Sequence, residues 1–133
     1  MGDLMRCYVL SGIIRSVIEE IMRRNIKTLE VRSAHNVATA LKVNVGDHVF
    51  LTPARTYDLD RGVSGLVAEV TGKEVMNQSL FYATTHHIEE CEMSVVRLRL
   101  QPRGVGRIIR VRIGDLLETL EAEIIEMSHF DAR

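Results

Sequence analysis

The sequence predicts a mixed α+β fold, a small and partly closed β-barrel with about three flanking helices. Short runs rich in Val, Ile and Leu are separated by Asn, Gly and Pro at turn positions. Other stretches space their apolar residues at helical intervals instead. At 133 residues the chain reads as one domain, 1–133, able to bury a core without disulfides or metal.

Taken in order, Arg6–Leu10 reads as a strand, after which Ser11 is placed to cap a helix. Ile14, Val17, Ile18, Ile21 and Met22 form that helix's apolar stripe. Glu19 and Glu20 precede Arg23 and Arg24 by four residues, the favourable order for surface ion pairs, and Asn25 suits a left-handed stop. Ile26–Arg32 alternates as a strand, and Ser33 caps a second helix running to about Leu41. Asn44-Val45-Gly46-Asp47 is a turn, His48–Thr52 a strand, and Pro53–Gly62 a polar loop. Gly65–Val75 is a further strand, bent or bulged at Gly72. Phe81–Thr85 reads as a strand, with His86–Cys91 a turn or its continuation; the connection over residues 76–91 stays open.

Met93–Gln101 and Arg107–Ile113 are expected to form a hairpin turning at Arg103–Gly106. Pairing Arg97 with Arg112 and Arg99 with Arg110 would put four arginines on one face and apolar residues on the other. A last helix is expected from Gly114-Asp115 to about Met127, its stripe formed by Leu116, Leu117, Leu120, Ile124 and Met127.

The net charge is −1, which argues against binding nucleic acid mainly by neutralising phosphates. The charges are nonetheless segregated. Six arginines and no acid lie between Arg97 and Arg112, and five acids and no base between Asp115 and Glu126. Two distant cysteines, Cys7 and Cys91, do not make a secreted disulfide framework, and no cationic start leads into an apolar run. These features predict a reducing compartment and a cytoplasmic protein. No window approaches the apolar length that spans a bilayer, so no membrane partner is expected.

The segment Asn25-Ile26-Lys27-Thr28-Leu29-Glu30-Val31-Arg32 resembles the ASCH signature Gly-x-Lys-x-x-Glu-x-Arg. Lys27, Glu30 and Arg32 match in identity and spacing, while Asn25 stands where the family has Gly. A preceding helix, the Val-Gly-Asp-His-Val-Phe-Leu strand and the later strand around Glu69 resemble the elements of that family, over about Ser11–Val75. The chain is also similar to an archaeal group of small proteins of unknown function. The resemblance implies a PUA-like pseudo-barrel with a cleft between the motif strand and a nearby helix, binding RNA or a nucleotide. A few ASCH proteins hydrolyse acylated nucleosides, with Thr as nucleophile where this chain has Glu30. Thr28 falls on the opposite face of the strand from Lys27, away from the nucleophile's spacing.

On the motif strand Glu30 and Arg32 share a face, so they are placed to pair with each other or to meet a ligand. The expected ligand residues are Lys27, Glu30 and Arg32 with Arg55, Tyr57 and Arg61 of the polar loop. Arg97, Arg99, Arg103, Arg107, Arg110 and Arg112 form a second candidate anion site, or else pair with Glu118, Glu121, Glu123 and Glu126, within one chain or across a homodimer. His86, His87, Glu89, Glu90 and Cys91 lack a second cluster at metal-ligand spacing, so no metal is assigned. His35 follows the motif and is more in keeping with a surface residue. No dinucleotide, P-loop or nucleophile-elbow pattern occurs, and no cofactor is implied. The expected function is a non-catalytic RNA- or nucleotide-binding module. One alternative is a small amidohydrolase acting on a modified nucleoside, with Lys27 and Glu69 or Glu30 as acid/base groups. The other is an assembly subunit using the arginine ribbon and the acidic segment.

Overall fold

The strand residues alternate between two apolar interiors, and that alternation organises the chain. A computed structural model describes residues 4–24, 27–113 and 118–126. Its strands are β1 (Leu4–Leu10), β2 (Lys27–Val31), β3 (His48–Leu51), β4 (Ser64–Ala83), β5 (Ile88–Ile113) and β6 (Glu118–Glu126). Two helices, α1 (Arg15–Arg24) and α2 (Ala34–Lys42), and a 3-10 turn at Thr56–Asp58 complete the described residues. The protein is thus a mixed α+β fold made mostly of sheet.

One edge of β5 pairs with β4, while its other edge pairs first with β2 and then with β6. From β4 the pairing continues through β3, β1 and β6 back to β5, so five strands close into a ring with β2 attached outside it. The β1–β3 pair is parallel and the other pairs are antiparallel. Cys7, Val9, Phe50, Val67, Ile108, Leu120, Ala122 and Ile124 fill one interior, facing inward from the ring strands. The alternate residues Leu10, Val49, Leu51, Leu66, Ala68 and Val70 join Leu29, Val31, Val96, Leu98 and Leu100 in a second core. Ile18 and Ile21 of α1 and Val37 and Ala40 of α2 cover that second core.

The first helix keeps its expected stripe in part: Ile18 and Ile21 are buried, Val17 and Met22 pack partly, and Ile14 lies exposed before the helix begins. Glu20 pairs with Arg24 at 3.7 Å. Ser33 caps α2, its hydroxyl accepting the Asn36 N–H. The far end of α2 is held from outside, because Lys73 Nζ donates to the Leu41 and Val43 carbonyls, both at 2.7 Å. A cation there satisfies carbonyls left over by the last turn and sits at the negative end of the helix dipole. Asn25, at the end of α1, lies outside the described residues.

Two expected elements are different. The hairpin at Arg103–Gly106 does not form; β5 runs straight through that segment as one strand. Gly104 and Gly106 read as turn residues, but they pair with Val67 and Gly65. A Cβ on Gly106 would stand 2.9 Å from Val67 Cγ2, so the glycine admits close packing instead of a turn. Arg97 and Arg99 therefore pair with β2 and β4, and never meet Arg112 or Arg110. The expected last helix is strand β6 where it is described. Leu120, Ala122 and Ile124 point inward at period two, and Glu121 and Glu123 are less buried between them. Gly114–Leu117 and Met127 lie outside the described residues. Two α-helices, not three, are present among the described residues.

The register shift between Val70 and Gly72 puts a bulge where Gly72 suggested one. Beyond it, β4 and β5 leave the body as a two-stranded arm that turns at Thr84–His87, closed by the Thr84 N–H to His87 carbonyl bond of 2.7 Å. Among the described residues, no helix is long and apolar enough to cross a membrane.

Candidate functional site

Leu29 and Val31 turn into the helix-covered core, so Thr28 and Glu30 face the opposite side of β2, and Arg32 follows at its end. Arg32 Nη2 donates to Glu30 Oε1 at 3.2 Å, as their spacing suggested. The same oxygen lies 3.9 Å from Arg97 Nη2, and Arg97 Nη1 donates to Glu74 Oε1 at 3.1 Å. The result is an alternating row across β2, β5 and β4. Its members are exposed, so each pair adds at most about 1 kcal/mol to stability. What the row does is hold the Arg32 guanidinium in place. The Lys27 backbone sits opposite Leu100, while its side chain lies outside the described part.

Arg32 also borders a groove of about 420 Å³ between α2 and the base of the arm. Ala34, Val37, Ala38, Leu41 and Met93 supply apolar lining, and Glu92 and Ser94 add polar atoms from β5. The groove's volume lies within the range of small-ligand pockets, and its lining is mainly apolar with a few polar groups.

The polar loop is only partly brought to this place. Ser11 Oγ and Thr56 Oγ1 share a hydrogen bond of 2.9 Å. The buried Asn36 accepts from the Ser11 N–H at 3.2 Å and donates to its carbonyl at 2.8 Å. Thus the 3-10 turn is tied to the first turn of α2, just beyond Arg32. Ser11 is a buried bridge here and does not cap α1, which begins only at Arg15. Arg55 donates to the Tyr57 hydroxyl at 2.9 Å, and Tyr57 is exposed. Arg61 belongs to the far end of the loop, which is bound to β5 through Gly62 N–H and the Ile108 carbonyl at 2.8 Å. The Ser11–Asn36–Thr56 bridge was missed in the sequence reading. Its one available signal was an Asn inside a helix, where an amide needs an unusual partner.

The arginines of β5 mostly have acids beside them. Arg107 lies 3.9 Å from Glu123, while Arg110 and Arg112 share Glu121 at 3.9 and 3.6 Å. A bulge between Ile108 and Arg110 keeps Arg107 and Arg110 on one face despite their odd spacing. The expected internal pairing with the acidic segment is therefore present, strand to strand. The Glu118 and Glu126 side chains lie outside the described part. Arg103 is itself a bulged residue, and its guanidinium reaches Glu69 on β4. That hydrogen bond and charge hold the Glu69 carboxyl below its ordinary range, with His48 acting in the same direction. Glu69 thus serves as a fixed anion more readily than as a proton donor near neutrality.

A pH dependence follows. A depressed carboxyl pKa stabilises the fold fully above the unfolded-state value, and loses that contribution as pH falls through the folded-state value. Glu69→Gln should flatten the acid limb of a pH–stability curve; an unchanged limb would show that the Arg103 pair does not couple to folding.

His35 is exposed on α2, and His87 Nε2 lies 2.8 Å from Glu89 Oε1 on the arm. Among the described residues no three His, Cys, Asp or Glu side chains gather as metal ligands. The chain is similar to the uncharacterized protein MJ0105 of Methanocaldococcus jannaschii, at 29% identity over 109 residues, covering 82% of this chain and 68% of the relative. A family model described as protein of unknown function (DUF473) matches residues 5–122, from β1 into β6, and the chain belongs to that family.

Proposed function

We propose that this chain is a non-catalytic PUA-like module of the ASCH type, and that the groove beside Arg32 takes one nucleotide, free or within an RNA. The observation that carries this reading is a guanidinium held by Glu30 at the mouth of an apolar groove. An Arg fork matches a phosphate in charge and geometry. The flat apolar lining from Ala34, Val37, Ala38 and Met93 suits the face of a base, and Ser94 and Glu92 stand where a base edge would need polar partners. The ring of strands and the motif's place beside α2 accord with the pseudo-barrel and cleft that the ASCH resemblance implies. In this reading Arg55 and Tyr57 flank the site through the Asn36 bridge, while Arg61 and the Arg107–Arg112 row are not part of it.

The test is binding of nucleoside monophosphates and of short single-stranded RNA, across a salt series, to wild type and Arg32→Ala. The variant should bind at least about tenfold more weakly, since a charge-assisted contact is lost. Its melting temperature should stay within about 2 °C, because only an exposed ion pair is removed. Unfolding of the variant would make the motif structural. Absence of binding by wild type at low salt would remove the nucleotide reading altogether.

A further inference from the structure

The arm carries a pattern that the groove and the core use only toward its base, through Arg32, Met93 and the buried Val95. Cross-strand register puts Arg99, then Arg97 with Glu74, then Met76 with Val95, Gln78 with Met93, Leu80 with Cys91 and Tyr82 with Glu89 on one face, from base to tip. The face is basic at its base, where Arg32, Arg97 and Arg99 stand beside Glu30 and Glu74. Its middle carries Met76, Met93 and Leu80 beside Gln78, with Val95 already buried, and Glu89 is the acid at its tip. Leu80 and Tyr82 are exposed by 49% and 66%, and Cys91 is also exposed. A two-stranded ribbon standing free in water is marginally stable, and gains from having an apolar face covered.

We infer that this face is covered by the same face of a second copy, the two arms lying antiparallel about a twofold axis near Met93. A twofold contact must be self-complementary. Reversing one arm upon another does this: Glu89 of each tip meets Arg97 at the other's base, Met93 meets its counterpart at the axis, and Leu80 meets Met76 between them. From Glu89 to Arg99 the face measures roughly 36 Å by 10 Å, so two such faces bury roughly 700 Å² of projected area, the size of a weak, concentration-dependent contact. Nucleic acid or an anionic lipid surface fits worse. Residues 75–96 hold Glu89, Glu90 and Glu92 and no Lys or Arg, so the arm would repel both.

The experiment is sedimentation of the full chain over a range of concentrations at low and high salt, with two charge-reversed variants. Wild type should reach twice the chain mass at low salt and loosen as salt rises. Glu89→Arg and Arg97→Glu/Arg99→Glu should each dimerise at least about tenfold more weakly, since each sets like charges together. Mixed, they should form a one-to-one heterodimer, because a basic tip then meets an acidic base at one end and an acidic tip meets a basic base at the other. Recovery in the mixture also shows that both variants fold. A second readout uses the native thiols. Cys7 is buried, and burial pushes its thiol up to about 12, so alkylation reports Cys91. Cys91 should react more slowly in the wild-type dimer than in either variant alone. A chain that stays at monomer mass, or a dimer indifferent to both reversals, overturns the proposal.

Discussion

Replacing Phe50 with alanine should lower the free energy of unfolding by about 3–5 kcal/mol. The ring is fully buried, and it is the largest side chain inside the closed circle of strands. Its neighbours Cys7, Val9, Val67 and Ala122 are small or branched and cannot extend into the space it would leave. The strands around it are hydrogen-bonded on both edges, which restrains collapse of the wall. Urea unfolding would show the effect as a lower midpoint at unchanged slope. A loss below about 1 kcal/mol would mean that the ring's interior is loosely filled.

Gly65→Ala tests the same interior from the other side. A Cβ there would stand 2.6 Å from the Leu51 carbonyl oxygen and 2.6 Å from two atoms of the Phe50 ring. Overpacking of this kind costs about 1–3 kcal/mol, and more where backbone blocks relief. The Leu51 oxygen is backbone, so the loss should lie at or above that range. Combining Gly65→Ala with Phe50→Leu should cost less than the two changes summed, since the smaller side chain vacates part of the contested volume. Strict additivity would place the strain entirely at Leu51.

The first half of the chain was legible because its signals were local. Ser33 caps its helix, the stripe Ile18–Ile21 finds the core, and the turn before His48 falls where Asn44–Asp47 placed it. Glu30 and Arg32 pair, one of the two outcomes their shared face allowed. The second half misled because two periods fit the same residues. Leu120 and Ile124 lie four apart, which suits a helix, and also an even number apart, which suits one face of a strand. Ala122 decides for the strand, but only the ring's interior gives it that meaning. Gly104 and Gly106 looked like a turn because their partners are distant in sequence, and Val67 of β4 and Ala122 and Glu123 of β6 leave no room for a side chain at Gly106. Of the candidate site, the motif pair could be read; the groove could not, since Met93 and Ser94 reach it from a strand far along the chain.

The circle of strands also divides the protein into a side that can form without its last described strand and a side that cannot. β6, the last described strand, pairs with β1, the first, and seals the circle against β5. The buried residues of the helix-covered core all lie at or before Leu100, so that core takes none of them from β6. Cys7, Val9, Phe50 and Val67 must wait for Leu120, Ala122 and Ile124 before their side is enclosed. A chain cut before β6 would therefore keep the residues of its helix-covered side but leave the other side of the sheet open to chaperones or to unwanted strand partners.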